Sequence, residues 1–218
     1  MRIASIIFDL DGTMVDTSED IAASVNAARA AFGRVPIAVG EAMLHIGDGL
    51  DQLLRRTVCE REEHIPRARI IYLEHQARHS CDHARLYPGV ADGLGHLAGA
   101  GVRLSVVSNK AQLLAVPMLE YLGIAGYFSS VLGEELQPRK KPAPDGLLLV
   151  LHEQGVQPDE ALMVGDSWQD IRAGAEAGCR TVWCRYGFGK LDGQTPDFSV
   201  QSFADVLQVA GCDASAAP

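Results

Sequence analysis

The chain has 218 residues, 47% hydrophobic and 22% charged, and 19 Lys+Arg against 28 Asp+Glu leave a formal net charge of −9. That length fits one domain, or one with a smaller companion, and the composition is that of a chain able to bury a core. The acidic balance argues against nucleic acid or an anionic membrane as partner, and no apolar run nears the roughly 18 residues of a membrane span.

Residues 3–8 are apolar and rich in β-branched side chains, the pattern of a buried strand. Thr17 and Asp20 stand at capping-box spacing and open a helix carrying Ile21, Val25, Ala28 and Phe32, stopped by Gly33. Leu50, Leu53, Leu54 and Val58 mark a second helix. A third starts near Pro66, passes Ile70, Leu73 and Ala77, and ends before Pro88. Residues 17–83 thus show helical periods and no strand, which predicts an all-helical inserted domain.

After the insert, strand patterns at 102–107, 128–132, 161–164 and 181–184 alternate with helical ones. The helical patterns run over Val90, Leu94 and Leu97, then Leu113 to Leu122, then Leu147 to Leu151, then Ile171 and Ala175. Gly101, Gly123, Gly155 and Gly178 stand at the expected helix ends. Such alternation predicts an α/β core, a doubly wound Rossmann-like parallel sheet built from residues 1–16 and 84–218. The small polar segment after Gly211 is expected to be disordered. No basic region leads into an apolar stretch at the N-terminus, so no signal peptide is expected. Five cysteines, odd in number and without a Cys-x-x-Cys, fit a reduced cytoplasm.

Ligands bind such sheets outside the carboxyl ends of the strands. The residues there are Asp9, Asp11, Gly12 and Thr13 after the first strand, and Ser108, Asn109 and Lys110 after the second. Lys140-Lys141-Pro142 follows the third, and Asp166, Ser167 and Asp170 follow the fourth. Carboxylates gathered at two strand ends repel one another unless a positive group lies between them. A hard divalent cation meets that need, and Mg²⁺ takes one or two carboxylates, waters and a substrate phosphate. Ser108, backbone amides and a lysine offer what the outer oxygens of a phosphoryl group require. One aspartate of an Asp-x-Asp pair can attack phosphorus while the other moves protons. Gly12 permits a sharp turn, and Thr13 can cap or orient the loop.

These four segments, in this order, resemble the motifs of the haloacid dehalogenase superfamily, and residues 17–83 fall where that family carries its helical C1 cap domain. The resemblance implies a Mg²⁺-dependent phosphomonoester hydrolase acting through an aspartyl-phosphate. It makes Asp9 the nucleophile and Asp11 first the acid, then the base. It implies Mg²⁺ held by Asp9, the main-chain carbonyl of Asp11 and Asp166, with Ser108, Asn109 and Lys141 on the phosphoryl oxygens. Gly12, Thr13 and Ser167 are supporting residues, and Asp170 supports Lys141 or a metal-bound water. The pattern favours Lys141, next to Pro142, over Lys140. Members of the family that dehalogenate carbon lack the second aspartate, having no alcohol to protonate.

The segment His45-Ile46-Gly47-Asp48-Gly49-Leu50 looks like the cap of phosphoglycolate phosphatases, which makes Gly47, Asp48 and Gly49 candidate specificity residues and 2-phosphoglycolate the expected substrate. Asp48 stands where that subgroup often has asparagine. A hexose phosphate, N-acetylmuramate 6-phosphate or a phosphosugar mutase activity therefore stay open. A non-enzymatic phospho-acceptor domain is a further alternative, but its aspartate follows the third strand and it has no cap. The expected partner is a small phosphorylated metabolite, and monomer and homodimer are both open.

The remaining features read more plainly. Arg55 or Arg56 could meet a second anionic group, although a surface role suits each alone. Lys110 either touches substrate or is solvated. His75, His79 and His83, with Cys81 between, read as a solvated flank rather than a zinc face. Gly187-Phe188-Gly189-Lys190 reads as a turn, and Trp168 and Trp183 read as packing, with Trp168 able to line an entrance.

Overall fold

Strand β1 (Ser5–Phe8) is buried over its whole length. The structure, a computed structural model, describes residues 3–212, so the tail expected to be disordered lies outside the described residues. A short β2 (Val15–Asp16) leads into four helices, α1 (Ser18–Ala31), α2 (Val39–Met43), α3 (Leu50–Thr57) and α4 (Ile65–His79). β3 (Arg85–Leu86) returns the chain and pairs antiparallel with β2, Val15 opposite Leu86. Then follow α5 (Val90–Gly99), β4 (Arg103–Val107), α6 (Gln112–Tyr121), β5 (Phe128–Leu132) and α7 (Asp145–Gln154). The chain closes with β6 (Ala161–Gly165), α8 (Trp168–Ala177), β7 (Arg180–Cys184), β8 (Phe198–Val200) and α9 (Phe203–Val209).

Six strands form one parallel sheet in the order β5-β4-β1-β6-β7-β8. The chain runs outward from β1 through β4 to β5, crosses back to β6, and runs outward again to β8. Strand order reverses at β1, so a crevice opens at its carboxyl end between the ends of β4 and β6. Side chains alternate across the sheet, as strand geometry requires. Ile6 and Phe8 pack with Leu94, Met118 and Phe203 on one face. Ile7 packs with Leu147, Val150 and Ala173 on the other.

The helical insert has its own core, in which Ile21 and Val25 of α1, Leu50 and Leu54 of α3, and Ala68 and Tyr72 of α4 come together. Its entry and exit are tied by the β2–β3 ribbon, two residue pairs too short to announce themselves in the pattern. The capping box expected of Thr17 and Asp20 is not formed: Thr17 has no side-chain cap bond. Asp20 is buried and instead accepts from the backbone N–H groups of His83 (3.0 Å) and Ala84 (2.9 Å), binding the start of α1 to the returning chain. A carboxylate that satisfies amides across the ribbon outweighs a local cap, because a buried amide left unpaired is the larger loss. Asp20→Ala should therefore cost about 1–3 kcal/mol, or some 2–12 °C in Tm, measured by thermal denaturation. An unchanged Tm would remove Asp20 as the tie.

α2, β8 and α9 also went unpredicted. For α9 a signal existed, since Ser202 and Asp205 form a capping box of the spacing sought elsewhere. Gly155 (φ 63°) and Gly178 (φ 85°) do end α7 and α8 in the left-handed conformation expected.

Candidate active site

The carboxyl ends of β1, β4 and β6 bring the four segments into one cavity of about 90 Å³, roofed by the helical insert. Gly12 turns the loop after β1 at φ +83°, and a Cβ there would collide with the Asp166 carboxylate, so the turn and the approach both need glycine. Asp9 and Asp11 follow β1, Ser108 follows β4, and Asp166 follows β6. Ser167 and Asp170 open α8 as a capping box in which Asp170 Oδ2 accepts from Ser167 N (3.0 Å) and Oγ (2.6 Å).

Lys141 lies among the carboxylates. Its Nζ is 2.6 Å from Asp170 Oδ1 and 3.0 Å from Asp9 Oδ1, with the side chain 2% exposed. Lys140 points away to Glu134 at 2.8 Å, which resolves the choice between the two lysines by position. Asp170, fully buried, has no solvent-facing role. Lys110 Nζ meets both oxygens of Asp11, at 3.0 and 3.1 Å, and its side chain is 5% exposed, so the solvated reading of Lys110 is corrected.

Oxygens of Asp9, Asp166 and Asp170 lie within 4.8 Å of one another. Burial pushes the Asp166 carboxyl well above its ordinary range, and the Asp170 and Asp9 charges add to this. Asp170 is raised by burial as well, against the pull of Lys141. Burial works against the Lys141 ammonium, but Asp170 and then Asp9 overcome it and hold its pKa above the usual lysine value. Two lysines face four carboxylates here, so two negative charges stay unmatched when all ionise, which is the charge of one divalent cation. The donor set fits such an ion. Among the described residues, Asp9 Oδ1 is buried and meets only Lys141, and Asp166 Oδ1 makes no hydrogen bond. Both oxygens of Asp170 are already committed, to Lys141 and Ser167.

Several expected contacts differ. Asn109, expected on the phosphoryl oxygens, donates instead to the carbonyls of Lys141 and Gly47 (both 2.9 Å) and accepts from Lys141 N at 3.1 Å. It clasps the Lys141 loop and the insert, and its amide hydrogens are spent on carbonyls. Ser108 Oγ accepts from Lys110 N at 3.3 Å, which leaves its O–H free to donate. Thr13 is buried, its Oγ1 has no partner among the described residues, and its carbonyl accepts from Tyr186 Oη at 2.9 Å. Asp48 is bound by Gln169 Nε2 and Arg56 Nη1, both at 2.6 Å, and Arg55 pairs with Glu62, so neither arginine is free for a substrate anion. His75, His79 and His83 take separate partners, Ser24, Asp82 and Glu19.

The Gly187–Lys190 turn belongs to the site, against expectation. The amides of Phe188 and Gly189 donate to Asp166 Oδ2 at 3.0 and 2.8 Å, and a Cβ at either glycine would strike Asp166. Trp183 Nε1 also donates to the Asp166 carbonyl at 2.8 Å, and Trp168 lines a second cavity, with Met43 and Arg56 of the insert and Phe188 of the turn. The glycine spacing after β7 was the signal available for this. For Gln169, which reaches the insert from α8, its place directly before Asp170 was the only one.

Residues 6–184 match the family described as haloacid dehalogenase-like hydrolase. The chain is 36% identical over 215 residues to the phosphoglycolate phosphatase of Chromobacterium violaceum, covering 95% of this chain and 96% of that one. It is 34% identical over 211 residues to that of Aquifex aeolicus, with 96% of each covered. A crystal structure of a predicted phosphoglycolate phosphatase from Haemophilus somnus superposes with a TM-score of 0.90 at 31% identity, covering 96% of this chain and 98% of the other.

Proposed function

This chain belongs to the haloacid dehalogenase-like hydrolase family, and from that membership we propose that it hydrolyses 2-phosphoglycolate, with Asp9 as nucleophile and Mg²⁺ as cofactor. The observation that carries the reading is the buried cluster of Asp9, Asp166 and Asp170 around Lys141, at the switch point of the sheet and beneath the insert. The names of the relatives support the choice of substrate. A cytoplasmic location is part of the same reading, and among the described residues no helix is long and apolar enough to cross a membrane.

An Asp9 oxygen attacks phosphorus in line, the bond between phosphorus and the glycolate ester oxygen breaks, and Asp11 gives that leaving oxygen its proton. Asp11 then takes a proton from water, whose oxygen attacks phosphorus and displaces the Asp9 carboxylate. Ser108 O–H and Lys141 hold the outer phosphoryl oxygens through both steps. Asp9, Asp166 and the main-chain carbonyl of Asp11 would hold Mg²⁺, which supplies positive charge against the phosphoryl oxygens. Asn109 keeps the Lys141 loop in register, and the Phe188 and Gly189 amides fix the Asp166 rotamer.

Phosphate release should be fastest with 2-phosphoglycolate in a panel that includes hexose phosphates and p-nitrophenyl phosphate, and it should require Mg²⁺. A hexose phosphate preferred by tenfold or more would overturn the substrate. Asp166→Asn tests the metal separately. Because the folded-state pKa of Asp166 is raised, its ionisation costs stability; that cost is absent at pH values below its ordinary 3.8 and complete once pH passes the raised value. The variant without metal should therefore gain Tm over the native chain as pH rises from 4 to 8, by a few degrees, and lose the Tm increase that Mg²⁺ gives the native chain. A Mg²⁺ shift retained in Asp166→Asn would remove Asp166 as ligand.

A further inference from the structure

The insert contributes an unusual wall to the cavity. Ile21, Ile46, Leu50, Leu53 and Leu73 line it with two glycines, and the one polar side chain it adds is that of Tyr72 on α4. Tyr72 is 6% exposed, and its hydroxyl makes no hydrogen bond with any described residue. The residue lines the cavity, where a donor with no protein partner is open to a ligand. The insert's arginines near this wall are engaged: Arg55 with Glu62, Arg56 with Asp48, and Arg69 with Asp51 at 2.8 Å. None of the three lines the cavity.

We propose that Tyr72 is the specificity residue of the insert, its hydroxyl donating to the carboxylate of a two- or three-carbon phosphorylated acid. This rests on the phosphatase reading above. The phosphoryl group occupies the polar floor, so the organic remainder of the substrate must face the apolar wall. In a cavity of about 90 Å³, that remainder is short. A second negative charge would find no insert cation, and the floor is already rich in carboxylates. A neutral hydroxyl suits it, since a hydrogen bond to a charged group in a desolvated site is strong and discriminating. Burial, with the Asp11 charge as a smaller contribution, raises the phenol's pKa and keeps it a donor throughout the working range. Tyr72 and Asp11, the residue that serves the leaving oxygen, line the same cavity.

The test is the ratio of kcat/KM for 2-phosphoglycolate over ethyl phosphate, which keeps the two carbons and lacks the carboxylate. Tyr72→Phe should lower that ratio by about 10- to 100-fold, leave ethyl phosphate hydrolysis within about twofold, and leave Tm unchanged, because the hydroxyl has no internal partner. The same loss should appear in the Kd of 2-phosphoglycolate for Asp9→Asn with and without Tyr72→Phe. If the native chain prefers 2-phosphoglycolate and the ratio survives Tyr72→Phe, the assignment of Tyr72 is overturned while the activity stands. If the native chain prefers a hexose phosphate, both fall.

Discussion

Asp9→Asn is expected to lower kcat by about 10⁴- to 10⁶-fold on any phosphomonoester, with Tm unchanged or higher. The substitution keeps the shape of the side chain and removes the charge that attacks phosphorus. Stability should not suffer, because Asp9 is one of three carboxylates whose oxygens lie within 4.8 Å. Its charge pushes up the pKa of both Asp166 and Asp170. Removing it relieves that repulsion at the expense of one ion pair with Lys141, which keeps Asp170 at 2.6 Å. An amide also offers Lys141 a carbonyl oxygen in the same place. The informative measurements are steady-state kinetics, Tm, and acid-quenched trapping of a phosphorylated protein, which the native chain should give and the variant should not. Activity above about 1% of native, in a variant of native Tm, would mean that another group attacks phosphorus.

Lys141→Ala should be damaging in both respects. It deletes the ammonium between Asp9 and Asp170 and leaves their buried charges without an opposite charge, a loss of about 3–5 kcal/mol. For a chain of this size that is some 6–20 °C in Tm. Activity should fall by at least 10²- to 10³-fold, the usual cost of one donor to the charge that develops on the phosphoryl oxygens. The pH dependence has a definite sign. Lys141 has a raised pKa in the fold, so its stabilisation is complete below its ordinary 10.5 and is lost only as pH passes the raised value. Without it, the pKa values of Asp166 and Asp170, already raised, move further up. The variant should then lose stability from pH 4 towards neutrality, while the native chain retains its ion pairs. The gap between the two should narrow towards acid pH, where the carboxylates are protonated. Urea denaturation of both proteins without metal, from pH 4 to 8, measures this. A gap independent of pH would mean that Lys141 stabilises by packing alone.

Residues whose roles follow from their place on the backbone were legible in the sequence. Asp9, Asp11, Ser108 and Asp166 each stand at a strand end, and a buried parallel strand is marked by a continuous apolar run that cannot be satisfied elsewhere. The helical insert was legible for a similar reason, since its leucines and isoleucines repeat with a period that only a helix turns to one side. Residues whose roles depend on what a flexible side chain meets were not. Lys110 and Lys140 look alike in the chain, yet one enters the cavity to hold Asp11 and the other ends on Glu134. Asn109 has the composition of a phosphate ligand, but the Lys141 loop and the Gly47 carbonyl come within its reach and claim its amide.

By itself the sequence determined the class of sheet, the inserted helices and the strand-end carboxylates, because hydrophobic period and turn chemistry act over a few neighbouring residues. Only the tertiary structure decided how the charges are matched. Gly187–Lys190 lies more than twenty residues from Asp166, yet it supplies the amides that fix its carboxylate. Tyr72 comes from a helix of the insert to face a cavity built by three strands. Electrostatic and hydrogen-bond energies depend on distance in space and on the loss of water around each group. Both are set when separate segments of the chain close on one another, and neither can be read from their spacing along it.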